Sequence, residues 1–129
     1  MDLRVRKLNV KKDNRGWLAE LLRSEDTGAH QFGQIIATTA RSGQTKGNHY
    51  HLRKREWYCI VKGKGKLSVM DRKTREIAEL VMGEDNMVTV EIPIGTLHWI
   101  TNTSEEEMVL IVYTDEPFKP EDPDTFFED

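Results

Sequence analysis

A single cysteine, Cys59, leaves no partner for an internal disulfide in these 129 residues. Its place in the apolar run Trp57–Val61 reads as a buried, inert thiol rather than a nucleophile. No apolar stretch approaches the roughly 18 residues that span a bilayer, and Met1–Lys12 lacks the apolar segment of a secretion signal. The expectation is a cytoplasmic protein with no membrane partner. Neither sign of charge dominates: 19 Lys and Arg against 22 Asp and Glu leave a net −3, which offers nucleic acid no overall attraction. A small anionic substrate stays open. Helical periodicity is almost missing; only Trp17–Arg23 approximates an i, i+3, i+4 stripe, and a strand is equally compatible there.

What the chain does have is short β-rich stretches at regular intervals: Gln34–Thr39, Trp57–Val61, Lys66–Asp71, Ile77–Val81, Met87–Ile92, His98–Asn102 and Met108–Thr114. Turn residues separate them, among them Gly63/Gly65 and Pro93–Gly95. This spacing predicts an all-β sandwich or barrel, read as one domain over residues 1–129. Two β-prone segments flanking Asp71–Arg75 predict a hairpin between Lys66 and Glu79. The end differs. Pro117–Asp129 holds three of the four prolines with Phe118, Phe126 and Phe127, so residues 115–129 are expected to run as an extended arm whose aromatics dock on the domain or on a second subunit.

Three of the four histidines fall into a pattern. Gly43 is followed after five residues by His49-Tyr50-His51, after four more by Glu56, and after six more by Gly63. Side chains two apart on a strand share a face, so His49 and His51 project together, Glu56 adds a carboxylate from the start of the next strand, and Gly63 allows a tight turn. Further on, Pro93-Ile94-Gly95-Thr96-Leu97-His98 leads to Asn102. Pro93 and Gly95 suit positions i+1 and i+3 of a type I turn that delivers His98 to the next strand. His49, His51, Glu56 and His98 together suit one divalent ion, with Zn first and Fe, Mn, Ni or Co compatible.

The two spacings are identified as the paired motifs of the cupin superfamily, with Met87 standing where the second motif usually opens on glycine. The resemblance implies a single-domain cupin, a jelly-roll barrel. Three stretches narrow it: Asp13-Asn14-Arg15-Gly16, Thr45–His51, and the ending Asp115–Phe126 with its Pro-Glu-Asp-Pro-Asp-Thr-Phe run. They resemble the nucleotide-sugar cupins, above all the C-terminal cupin domain of the bifunctional capsular polysaccharide enzyme of UDP-N-acetyl-L-fucosamine precursor synthesis. More distantly the chain is similar to dTDP-4-dehydrorhamnose 3,5-epimerase and to sugar 3,4-ketoisomerases. It has no G-x-G-x-x-G fingerprint for the reductase domain of the capsular enzyme, so a separate reductase is an expected partner.

This resemblance implies C3 epimerisation of a nucleotide-linked 4-keto-6-deoxy sugar, in which a base removes the proton alpha to the ketone and an acid returns one from the other face. In the rhamnose epimerases the base is the first motif histidine, which maps onto His49. A metal-bound His49 is not free for that role, and the four-ligand arrangement is preferred, so the base stays open. Tyr58 and Tyr113 are the further catalytic candidates; Tyr50 should point away from the histidines, and His30 sits in a polar loop. Lys46, where the epimerases carry an arginine, and Arg15 are candidates for diphosphate contacts. Trp57 and Trp99 each follow a ligand candidate and could stack on a sugar or uracil ring, core packing being the competing role. A homodimer is expected from the family and from the need to cover sheet edges. Three other activities fit the same residues: a sugar-nucleotide 3,4-ketoisomerase, a non-catalytic sugar-binding cupin and a metal-dependent dioxygenase.

Overall fold

The computed structural model describes residues 3–28 and 31–128; His30, one of the acid–base candidates, falls outside them. Eleven strands and one short helix follow in order among the described residues: β1 (Arg4–Lys7), β2 (Lys11–Asp13), β3 (Gly16–Leu18), α1 (Ser24–Thr27), β4 (Gln34–Ala40), β5 (Thr45–His49), β6 (Glu56–Lys62), β7 (Lys64–Met70), β8 (Ile77–Gly83), β9 (Val88–Ile92), β10 (Leu97–Asn102) and β11 (Met108–Thr114). They form a five-stranded sheet in the order β1-β9-β6-β11-β4 and a four-stranded sheet in the order β5-β10-β7-β8, with β2 and β3 as a separate hairpin. Every pairing is antiparallel.

The core lies between the two sheets, and strand alternation decides which side chains enter it. Tyr58 and Ile60 of β6, Leu67 and Val69 of β7, Val88 and Val90 of β9, Ile100 of β10 and Leu110 and Val112 of β11 pack there. The outer face of the five-stranded sheet is partly covered by the N-terminal segment. Leu8, Cys59 and Met87 meet there, with Val10, Ala19 and Leu21 against them. Burial pushes the Cys59 thiol up to about 11, which keeps it protonated and unreactive at neutral pH.

Two local readings are settled and one, the turn at Pro93, is corrected. No helix forms over Trp17–Arg23: the Asp13 carboxylate accepts the Arg15 backbone N–H at 2.8 Å, closing a turn that pairs β3 with β2. The single-turn α1 comes later, started by Asp26 accepting the Arg23 N–H and ended by Gly28 at φ +66°. The tight turn expected at Gly63 joins strands of different sheets: β6 and β7 do not pair, and Gly63, at φ +79°, turns the chain from one layer to the other. At Pro93 the Thr96 N–H donates to the Pro93 carbonyl, and Gly95 has φ +80°. Pro93 and Gly95 therefore occupy positions i and i+2 of a type II turn instead of i+1 and i+3 of a type I turn, because position i+2 of type II demands a positive φ. The hairpin between Lys66 and Glu79 is present, with Met70 opposite Ile77 and the Asp71 carboxylate taking the Lys73 and Thr74 N–H groups.

Candidate metal centre

Four side chains from three strands and one loop converge inside one end of the barrel. His49 ends β5, His51 follows two residues on in extended backbone, Glu56 opens β6, and His98 lies on β10 directly opposite His49. The pairing shifts after His98 because β5 carries an extra residue there, Asn48 at φ +65°, a bulge just before His49. The donor atoms of these four residues all lie within 4.8 Å of one another. His51, Glu56 and His98 are buried and His49 is partly exposed, so the cluster opens toward solvent on the β5 side.

Hydrogen bonds dictate which ring nitrogens carry protons. His51 Nδ1–H donates to the Asp124 carbonyl at 2.7 Å, and His98 Nδ1–H to the Thr96 carbonyl at 3.1 Å. A carbonyl can only accept, and a neutral imidazole has one N–H, so both Nε2 lone pairs face inward. They meet Oε1 of Glu56 at 2.8 and 2.9 Å. Three lone-pair atoms pointing at one another need protons or a cation between them. Nε2 of His49 is buried beside them with no hydrogen-bond partner among the described residues. Protons can occupy this space when no metal does: burial raises the Glu56 carboxyl, but the facing His51 and His98 outweigh it and bring it well below the usual carboxylate range. Burial, reinforced by His98, lowers His49 to about 4. The cluster therefore fits a metal ion both in its donor set and in its unsatisfied atom.

Tyr58 stands edge-on to His98, ring centroids 5.8 Å apart, on the interior face it shares with Glu56. Burial, then the Glu56 charge, raises its hydroxyl well above the ordinary tyrosine value. Lys46 lies on β5 three residues before His49, and its Nζ donates to Thr38 Oγ1 of β4 at 2.8 Å, spanning the edges of the two sheets.

The other candidates lie away from the cluster. Trp57 follows Glu56 and so faces outward, packed under the Arg55 guanidinium and against Tyr113, its cross-strand partner. Tyr113 is on that same outer face, where its hydroxyl accepts the Gly33 N–H. Trp99 follows His98 and faces away from the cluster for the same reason. Arg15 sits on the exposed β2–β3 hairpin, held by Asp13, and the structure does not bring it to the cluster. Tyr50 points away from the histidines as expected, stacked on Phe126 beneath Arg72.

Several neighbours of the cluster lie outside the candidate site residues. Phe127 lies edge-on to His49 at 6.2 Å, Lys54 is buried nearby, and Asp124 touches the loop between His51 and Glu56. The run ending in Asp124-Thr125-Phe126 was distinctive in the sequence, but no periodicity indicated where it would dock.

Comparison with known proteins agrees with this architecture. Residues 11–126 match the family described as the polysaccharide biosynthesis C-terminal domain. The chain belongs to that family. Among its relatives is the spore coat polysaccharide biosynthesis protein SpsL of Bacillus subtilis, 30% identical over 127 residues, covering 95% of this chain and 84% of SpsL. Another is a UDP-2-acetamido-2,6-beta-L-arabino-hexul-4-ose reductase of Pseudomonas aeruginosa, 32% identical over 114 residues; the match takes in 88% of this chain but only 29% of that relative. The capsular polysaccharide assembling protein CapF of Staphylococcus aureus superposes with a TM-score of 0.73 at 34% identity, over 93% of this chain and 34% of CapF. A dTDP-4-dehydrorhamnose 3,5-epimerase from Sulfolobus tokodaii shares the fold at 20% identity, with a TM-score of 0.79 over 94% of this chain and 73% of the epimerase. The family member described here thus has the cupin fold that its paired motifs implied.

Proposed function

We propose that this protein is a metal-dependent epimerase acting at C3 of a UDP-linked 4-keto-6-deoxy sugar in surface polysaccharide precursor synthesis. The observation that carries the reading is the convergence of His49, His51, Glu56 and His98 on one point in a member of a polysaccharide biosynthesis family. The names of its relatives supply the substrate class: one is a reductase of a UDP-linked hexulose, another a spore coat polysaccharide protein. The proposed ion is zinc; when bound it supplies Lewis acidity toward an oxygen that gains negative charge as the alpha proton leaves.

The chain's own residues would do the rest. His51 and His98, held through Nδ1, orient the centre. Tyr58, whose hydroxyl burial keeps protonated, is a proton donor rather than a base. Lys46, whose Nζ lies at the gap between the sheet edges, would contact the diphosphate. No reductase step is proposed for these residues, so that reaction falls to another polypeptide or domain. A homodimer is part of the reading: β4 has no partner on its free edge among the described residues, and next to it Leu21, Leu22, Phe32, Ile35, Ile111 and Tyr113 line an apolar groove of about 410 Å³ that a second copy would cover.

Proton NMR of a UDP-4-keto-6-deoxy-N-acetylhexosamine in deuterated buffer tests the activity, with and without verified metal removal. Loss of the C3 proton signal only in the metal-loaded protein is expected. Exchange that survives metal removal would return His49 to the role of base. No exchange with metal in place would overturn the epimerase reading.

A further inference from the structure

The segment after β11 crosses back over the end of the barrel and is tied down residue by residue. Asp124 is buried although it is a carboxylate, and its backbone adopts φ +47°, a left-handed conformation that a side chain with local hydrogen bonds tolerates. Its Oδ1 accepts the Leu52 N–H at 3.0 Å, and its Oδ2 accepts the Arg53 and Lys54 N–H groups at 3.0 and 2.8 Å. These three amides belong to the loop joining His51 to Glu56. From the same residue the backbone carbonyl accepts His51 Nδ1–H. Lys54 Nζ donates to the neighbouring Pro123 carbonyl, and Phe126 exchanges two backbone hydrogen bonds with Tyr50, between His49 and His51.

We infer that Asp124 is a positioning residue for the metal centre: its carboxylate clamps the 52–54 loop so that its carbonyl holds His51 in the Nδ1–H tautomer with Nε2 directed at the ion. The inference rests on the metal reading proposed above. Without the clamp, His51 is free to carry its proton on Nε2, where it can donate to Glu56 and can no longer ligate. An outer partner of a ligating imidazole typically affects metal affinity 10–100-fold. The role is specific because one residue supplies both the loop cap and the tautomer lock.

The full-length protein and its Asp124→Ala and Asp124→Asn variants test this, with Co(II) as the probe. Affinity is read from visible absorption under chelator competition, and the His51 tautomer from 15N–1H correlations of the metal-free proteins. The expected result is a Co(II) Kd raised roughly 10–100-fold in Asp124→Ala, with loss of the Nδ1–H signature at His51. Asp124→Asn, which keeps an acceptor oxygen, should fall in between, and it stands in if the alanine variant does not fold. Unchanged tautomer and affinity in a folded variant would overturn the inference and leave the metal centre intact. A wild-type chain that takes up no Co(II) would overturn both.

Discussion

His49 is the ligand candidate with least to lose in the absence of an ion, because its Nε2 has no hydrogen-bond partner among the described residues. The substitution His49→Gln should therefore change metal-free stability by no more than roughly 1 kcal/mol while weakening Zn(II) binding at least tenfold. Chemical denaturation and a chelator-competition titration would check the two halves. Glu56→Gln should behave differently, since it leaves His51 and His98 facing an uncharged group: both binding and metal-free stability should fall. Acid acts on the same atoms. His49 has a folded value of about 4 against an ordinary 6.5, so the unfolded chain binds more protons between those values, and metal-free stability should decline as pH drops through that window. Glu56, whose folded value is also lowered, adds to the loss below about 4.5. Denaturant midpoints measured from pH 7 to pH 4 would show the trend, and a flat profile would contradict it. At this scale the four ligand candidates were legible in the sequence because their spacing is short and periodic within each motif. Trp57 and Trp99 take the packing role rather than the stacking one because an aromatic beside a ligand in sequence lies on the opposite face of a strand, and Tyr113 shares that outer face as the cross-strand partner of Trp57.

Turns and strand junctions divide into positions where the backbone conformation matters and positions where space does. At Gly95 a Cβ would meet nothing within 4 Å, yet φ is +80°. Gly95→Ala should cost about 1–2 kcal/mol, all of it backbone strain. A Cβ at Gly33 would fall 1.9 Å from the Thr114 carbonyl oxygen, a backbone atom that cannot step aside. Gly33→Ala should cost about 3 kcal/mol or more and loosen the approach of the chain into β4. Urea denaturation of both variants would separate the cases, and equal losses would refute the distinction. Strands with apolar alternation, such as β7 and β11, could be located from sequence. Short or polar strands could not: Arg4–Lys7 and Thr45–His49 have no apolar face of their own and are strands because β9 and β10 pair with them.

As a whole, the molecule should respond to metal as a unit, because the four ligand candidates come from both sheets. Zinc at about 100 times its Kd should stabilise by roughly 2.7 kcal/mol and raise Tm by roughly ten degrees, with chelator reversing the gain. Differential scanning fluorimetry would read it. The proposed dimer should appear in light scattering at twice 15.0 kDa, and Ile35→Lys, which puts charge on the groove beside β4, should shift it toward monomer. The amino-acid sequence by itself determined the all-β class, the pairing of two motifs and the identity of the four converging side chains, because these follow from local periodicity and spacing. Only the tertiary structure decided which aromatics face the cluster, how the chain crosses between sheets at Gly63, and that Asp124 reaches back to the loop after His51. Those outcomes rest on contacts between segments as much as 80 residues apart, and no local pattern encodes a partner at that distance.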